Sequence, residues 1–377
     1  MIWLLLGMID REKAVTVLDD FSCSTRILSG PGAVSALKEL GGKRVFVVTD
    51  PFFFENGTAV RIAGMAEAEA TEIFSQVRPD PTVELVAEGT ARLKAFGADM
   101  VVALGGGSAM DCAKAMVFFT KSSCTLVAIP TTSGSGAEVT DFAILTHDHV
   151  KHPLVDRKLR PDVAILDSDL LTALPAGLIA DAGFDVLAHA LEAFVATGAG
   201  VFTDAFARDA FRSAYGALPA SFAGNTQVRL KIHQAATMAG LAFTQAGLGL
   251  CHAISHSLGG MFHVPHGRLN AILLPSVISC NSHAAMAKYA VMAREAGMGG
   301  SADTIAVRNL KNNLIRLRRE LKLPETLAQA GIAPRDLWSA TPEIVSAALA
   351  DPCCETNPLK AEDFLIRRIL EEVTGRV

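Results

Sequence analysis

The sequence predicts an α/β N-terminal domain on a parallel sheet followed by an all-helical C-terminal domain, and three observations predict it. Short apolar runs at residues 44–49, 100–104, 126–129 and 163–166, rich in Val and Ile and spaced by helix-length segments, read as strands buried on both faces. Beyond Pro175 these give way to long Ala- and Leu-rich stretches at 180–195, 204–218 and 307–321, which read as helices, with 365–376 as an amphipathic helix at the end. Between the two patterns, Leu174-Pro175-Ala176-Gly177 supplies turn residues just ahead of a helix. A chain of 377 residues, 50% hydrophobic, can bury a large core and favours about two domains. The expected units are 21–176 and 177–377, behind an extension at 1–20.

Charge and cysteine content narrow the classes of function. With 34 Lys and Arg against 39 Asp and Glu, the net charge is -5, and no long run of one sign exists to track phosphates or anchor on anionic lipid. Nucleic acid and membrane are therefore not expected partners. Seven cysteines form no CxxC pair and no dense framework, which fits a reduced, cytoplasmic setting. The first eight residues are apolar but lack a basic start and run into Asp10, Arg11, Glu12 and Lys13, so no signal peptide is expected. Residues 232–267 carry no Lys, Arg, Asp or Glu, yet they hold five histidines, which would be costly in lipid. A buried helix pair carrying a site is the better reading.

Two loops suggest a phosphate-bearing ligand. Val101-Val102-Ala103-Leu104 runs into Gly105-Gly106-Gly107-Ser108, and good helix formers follow at 110–116. Strand, glycine turn and helix N-terminus together make an anion site, although a bare GGGS can also be only a tight turn. After the next strand comes Pro130-Thr131-Thr132-Ser133-Gly134-Ser135-Gly136, whose hydroxyls and glycines suit a nucleotide-lining surface or, more plainly, a self-solvating turn. Asp50 ends the first strand expected, where a carboxylate can bind ribose hydroxyls and repel the additional phosphate of NADP, or can serve simply as a turn residue.

The helical half holds the metal-like chemistry. Asp185 and His189 are four apart and share a helix face, an arrangement that also serves an ordinary surface contact. His252, His256, His263 and His266 fall within fifteen residues of the uncharged segment. His252 and His256 share a face, Gly259-Gly260 is expected to end or bend their helix, and Pro265 fits the first turn of a helix that brings His266 back toward it. Buried imidazoles need partners, and three His nitrogens with one Asp oxygen would suit Fe(II), Zn(II) or another first-row ion.

Four motifs in order, residues 105–115 (GGGSAMDCAKA), 130–140 (PTTSGSGAEVT), 183–194 (GFDVLAHALEAF) and 249–275 (GLCHAISHSLGGMFHVPHGRLNAILLP), carry a resemblance. From about Ser22 onward the chain resembles the iron-containing, or group III, alcohol dehydrogenase family. The resemblance implies a dehydroquinate synthase-like fold, an N-terminal domain for NAD(H), a helical domain for one divalent metal, Fe(II) or else Zn(II), and a homodimer. Carried over residue by residue, it implies Asp185, His189, His252 and His266 as metal ligands and His256 as a cleft-facing catalytic proton relay. With all four ligands present, nothing suggests a metal-free offshoot such as the maleylacetate reductases. For the cofactor it implies Asp50, Gly106, Gly107, Ser108, Thr131, Thr132 and Lys151, with Asp80 standing where relatives often carry Asn. Within the family, residues 243–250 (FTQAGLGL) and Thr356-Asn357-Pro358 look most like the 1-propanol dehydrogenases of propanediol-degrading microcompartments. The extension at 1–20 then reads either as a short targeting helix for such a shell or as a disordered tail.

The implied reaction is hydride transfer between a small primary alcohol and NAD, with the ion as Lewis acid. Phe142, Phe194, Phe243 and Phe262 lie near the site motifs, either as plain core or as an apolar pocket that favours short unbranched alcohols over the polyols of a glycerol or lactaldehyde enzyme. A metal-dependent hydrolase would leave the glycine loop without a role, and a non-catalytic nucleotide-binding protein would leave the histidines without one.

Overall fold

The computed structural model describes residues 20–121, 123–147 and 150–375, so the shell-targeting expectation for residues 1–20 lies outside the described residues except at Asp20. The first half runs β1 (Arg26–Ser29), β2 (Arg44–Val48), α1 (Pro51–Glu55), α2 (Thr58–Met65), β3 (Ala70–Phe74), α3 (Val83–Phe96), β4 (Met100–Gly105), α4 (Gly107–Thr120) and β5 (Thr125–Pro130). It closes with an antiparallel hairpin of β6 (Phe142–His147) and β7 (Val150–Val155), and with β8 (Val163–Leu166).

Six strands pair in parallel in the order β1-β8-β5-β4-β2-β3. Alternation along β2, β4 and β5 supplies both faces. Phe46, Val48, Val101 and Ala103 pack under α3 and α4, while Val45, Val47, Val102 and Leu104 pack under α2 and the 3-10 turn Ala33–Leu40. The chain steps from β2 outward to β3, then returns to the other side of β2 for β4 and continues to β5. The reversal leaves a crevice at the carboxyl ends of β2 and β4, where open α/β sheets bind their ligands.

The sheet half ends at Leu166 and α5 (Ala176–Val195) opens ten residues later. It is followed by α6 (Val201–Phe222), α7 (Arg229–Ala246), α8 (Leu250–Phe262), α9 (His266–Glu295), α10 (Asp303–Glu320), α11 (Pro334–Ala350) and α12 (Asp363–Thr374), with no strand among the described residues. Nearly all of α5 is buried, so α6, α7, α8 and α9 pack around it. Among the described residues no helix is long and apolar enough to cross a membrane.

One expectation needs correction. Gly259-Gly260 neither ends nor bends α8, which continues to Phe262 and stops at His263 in the left-handed region, φ 55°. Two glycines cost a helix only about 1 kcal/mol each, which packing overrides. The break falls where Pro265 cannot continue the helix, and Pro265 stands one residue ahead of α9 instead of in its first turn.

Candidate metal centre and nucleotide crevice

Asp185, His189, His252 and His266 each offer one ligand atom, and the four atoms lie within 4.8 Å of one another. Asp185 and His189 lie one turn apart on α5, His252 sits in the first turn of α8, and His266 is the first residue of α9. The start of α9 reaches α5 because Gly267 has no side chain. A Cβ there would stand 1.9 Å from the Asp181 carbonyl oxygen and 3.2 Å from the Asp185 Cβ. Arg268 fastens the same junction by donating to both carboxylate oxygens of Asp181, at 3.1 and 2.9 Å. Gly267→Ala is therefore expected to push α9 off α5, costing about 1–3 kcal/mol by overpacking and most of the metal affinity. Denaturant unfolding and metal content after gel filtration check both effects.

A buried carboxylate sets the orientation of His252. Glu192, two turns beyond Asp185 on α5, accepts the backbone N–H groups of Gly249 (3.0 Å), Cys251 (2.7 Å) and His252 (3.3 Å). It also pairs with His252 Nδ1 at 2.6 Å. An anion at a helix N-terminus satisfies orphan donors, and the same anion holds the His252 tautomer that leaves Nε2 as the lone-pair nitrogen. Burial pushes the Glu192 carboxyl up to about 7, against the pull of those three N–H groups. Asn270, four residues after His266, donates Nδ2 to Asp185 Oδ1 at 2.8 Å, and that nitrogen lies 3.3 Å from His252 Nε2. His189 is held between the rings of Phe243 (4.5 Å) and His252 (4.4 Å).

Burial lowers the pKa values of His189, His252 and His266, and the mutual proximity of the histidines adds to it, although a third of the His266 side chain stays exposed. Neutral imidazole is the form that ligates metal. Three neutral nitrogens and one carboxylate oxygen, with no thiol among them, fit a single first-row divalent ion.

His256 stands beside this set. Its ring stacks on His266 at 5.1 Å, and its Nδ1 pairs with Asp351 Oδ2 at 2.8 Å. Burial pushes the Asp351 carboxyl up, but the hydrogen bond and charge of His256, joined by the Cys353 N–H and thiol, outweigh it and hold the group below its usual value. His263 caps α8 and does not belong to the cluster of ligand atoms.

The crevice gathers the other expected residues. Gly106 and Gly107 open α4, and Cβ atoms on them would lie 3.3 Å from Thr132 Oγ1 and 3.4 Å from Ser135 Oγ. The glycine loop and the hydroxyl-rich loop thus form one surface. Thr131, buried, donates its N–H to the Gly105 carbonyl at 2.9 Å, and Ser108 lies in the first turn of α4. Asp50 caps α1 through the Phe53 N–H at 3.1 Å, with its other oxygen toward Gly105. Lys151, on β7, is paired with Asp80 at 2.6 Å, and its charge is felt by His266. Of the four phenylalanines, Phe243 and Phe142 stand in series beside His189, whereas Phe194 is packed in the helical core under Lys288. Phe262 packs partly buried against the same core.

Sequence reasoning missed Glu192, Asn270 and Asp351. Glu192 had a signal, being an acid on the same face of α5 as Asp185 and His189, and Asn270 lies one turn beyond His266. Asp351 had none, since it approaches His256 from 95 residues away.

A crevice suited to a dinucleotide phosphate, opening beside a largely buried set of three histidines and an aspartate, is the layout of a metal-assisted dehydrogenase. Comparison with known proteins agrees. Residues 24–168 match the model of the iron-containing alcohol dehydrogenases, and 179–374 match that of the C-terminal part of the Fe-containing alcohol dehydrogenase family. The chain is 39% identical over 369 residues to the 1-propanol dehydrogenase PduQ of Salmonella typhimurium, covering 94% of this chain and 100% of that one. It is 34% identical to the NADPH-dependent butanol dehydrogenase of Clostridium saccharobutylicum, with 93% and 97% covered. The iron-containing alcohol dehydrogenase of Thermococcus thioreducens superposes with a TM-score of 0.88 at 31% identity, over 94% of this chain and 99% of that one. The chain belongs to the iron-containing alcohol dehydrogenase family. It is an oxidoreductase of the kind that interconverts alcohols and aldehydes.

Proposed function

We propose that this chain interconverts a short-chain primary alcohol and its aldehyde by hydride exchange with NAD(H), at one divalent ion held by Asp185, His189, His252 and His266. The observation that carries the reading is the convergence of those four ligand atoms, with the second nitrogen of His252 already committed to Glu192. In this reading residues 21–176 form the dinucleotide-binding domain and 177–377 the metal-binding domain. Fe(II) suits the donor set and the family, and Zn(II) is the alternative. A cytoplasmic homodimer goes with the reading, and shell association goes with it only if residues 1–20 act as a targeting segment.

Bound at these positions, the ion supplies a Lewis acid for the substrate oxygen and the nicotinamide supplies the hydride acceptor or donor. The side chains do the rest. Asn270 and Glu192 keep Asp185 and His252 aimed without expending reorganisation during turnover. His256, tied through Nδ1 to Asp351, is left with Nε2 to take the hydroxyl proton in oxidation and return it in reduction. Phe243 and Phe142 form an apolar wall beside His189, which supports an unbranched alkyl chain. An aldehyde series tests the substrate class: propanal and butanal should give a higher kcat/KM than glyceraldehyde and lactaldehyde, and the reverse order would assign a polyol enzyme.

Asp50 supports NAD over NADP, since a 2′-phosphate at the end of β2 would meet its carboxylate. Asp50→Gly is expected to lower the KM for NADPH by about tenfold, equivalent to roughly 1.4 kcal/mol of relieved repulsion, and to raise that for NADH. Initial rates with both cofactors check it, and unchanged preference would remove Asp50 from the ribose site.

A further inference from the structure

We propose a second metal site, formed by His256, Asp351 and Cys353, which takes zinc and thereby inhibits the enzyme. These three half-buried side chains each offer one ligand atom, and the three atoms lie within 4.8 Å of one another. They come from α8, from the end of α11 and from the 3-10 turn Pro352–Thr356. The backbone holds the set together. Asp351 caps the turn by accepting the Cys353 N–H on Oδ1 at 2.8 Å, while Oδ2 takes the 2.8 Å contact with His256 Nδ1.

The donor set differs from that of the first centre in one respect that matters. It has nitrogen, oxygen and sulfur, and a thiolate favours zinc over ferrous iron. Two ligands at about 2.0–2.1 Å on a tetrahedral zinc stand about 3.3 Å apart, so His256 and Asp351 need to separate by only about half an ångström from their present contact. Burial first, then the charge and hydrogen bond of Asp351, hold the Cys353 thiol well above its usual range, and a cation between the two groups offsets the part due to Asp351. On binding, the Sγ–H proton leaves to solvent, the Nδ1 proton passes to Nε2 as the ring changes tautomer, and no redox step occurs. The Cys353 side chain packs partly buried against the helical core and its thiol bonds to Asp351, but the reaction proposed above does not use it.

Inhibition follows from which nitrogen is taken, and this part rests on His256 being the proton relay. Zinc on Nδ1 fixes the ring as its Nε2–H form, which cannot accept the hydroxyl proton. Because zinc also competes with Fe(II) for nitrogen and oxygen donors, the iron content after zinc treatment is measured alongside turnover, and inhibition counts for the second site only where the iron is retained.

Cobalt(II) tests the site separately from turnover, because only this set contains sulfur. Titrated into the metal-stripped full chain, cobalt is expected to bind at two per chain and to raise a near-ultraviolet thiolate-to-cobalt band. Cys353→Ala should bind one and lack the band. Cys354→Ala should keep it, since the Cys354 thiol points to the Ala348 carbonyl instead. Zinc added to the iron-loaded protein should lower wild-type turnover at least tenfold and leave Cys353→Ala at its own zinc-free rate. One cobalt without the band, a band that survives Cys353→Ala, or equal inhibition of both proteins would overturn the second site. One cobalt with a band lost in Cys353→Ala would instead sustain it and sink the first centre.

Discussion

His266→Ala is expected to lower turnover by about a thousandfold and to leave the fold standing. Lewis-acid assistance is worth several kcal/mol, and at 1.36 kcal/mol per factor of ten a loss of about 4 kcal/mol gives that ratio. His266 is the suitable position because it opens α9 with a third of its side chain exposed, so its removal leaves no core cavity. His252, wholly buried between His189 and Glu192, would confound chemistry with packing. The checks are kcat, metal retained after dialysis, and the denaturant midpoint. A variant that keeps both turnover and metal would strike His266 from the ligand set.

Changes at Glu192 should separate assembly from orientation. Glu192→Ala leaves the N–H groups of Gly249, Cys251 and His252 without their acceptor inside a packed core. Buried donors left so cost about 1–3 kcal/mol apiece, so a total of about 3–9 kcal/mol is expected, read from unfolding of the metal-stripped protein. Glu192→Gln keeps the volume and one acceptor oxygen but turns an amide N–H toward those donors and removes the negative charge behind His252. Losses of this kind behind a metal-binding histidine run to about 10–100-fold in metal affinity, and a competing chelator measures it. Equal affinity in Glu192→Gln would mean that the carboxylate only docks α8.

The parts legible in the sequence were those in which local spacing carries the geometry. Strands β2, β4, β5 and β8 are buried on both faces or nearly so, and they announce themselves as apolar runs rich in Val and Ile. β1 and β3 were missed because they form the two edges of the sheet, where RILS and ATEIF stay partly exposed and lose the apolar signal. The β6–β7 hairpin was missed as well, although its Lys151 had been singled out. At the site, Asp185 and His189 meet by helical periodicity, and His252 and His266 by a break between two helices. Local propensity places that break at Gly259-Gly260, and packing carries α8 past it to Phe262. Glu192 was in view within a motif and went unread, since its role depends on the first turn of α8 arriving from 57 residues away. Asp351 and Cys353 reach His256 only through the tertiary fold. The sequence offers Asp80 and Lys151 as separate cofactor contacts, and the structure pairs them with each other.

The most direct test of the central claim is the loss of reduced-nicotinamide absorbance with propanal and NADH, using metal-stripped protein before and after addition of one equivalent of Fe(II), beside His266→Ala treated in the same way. No turnover is expected without metal, turnover is restored by the single equivalent, and none is restored in the variant. Stripped protein that reduces propanal as fast as the reconstituted enzyme would contradict that claim.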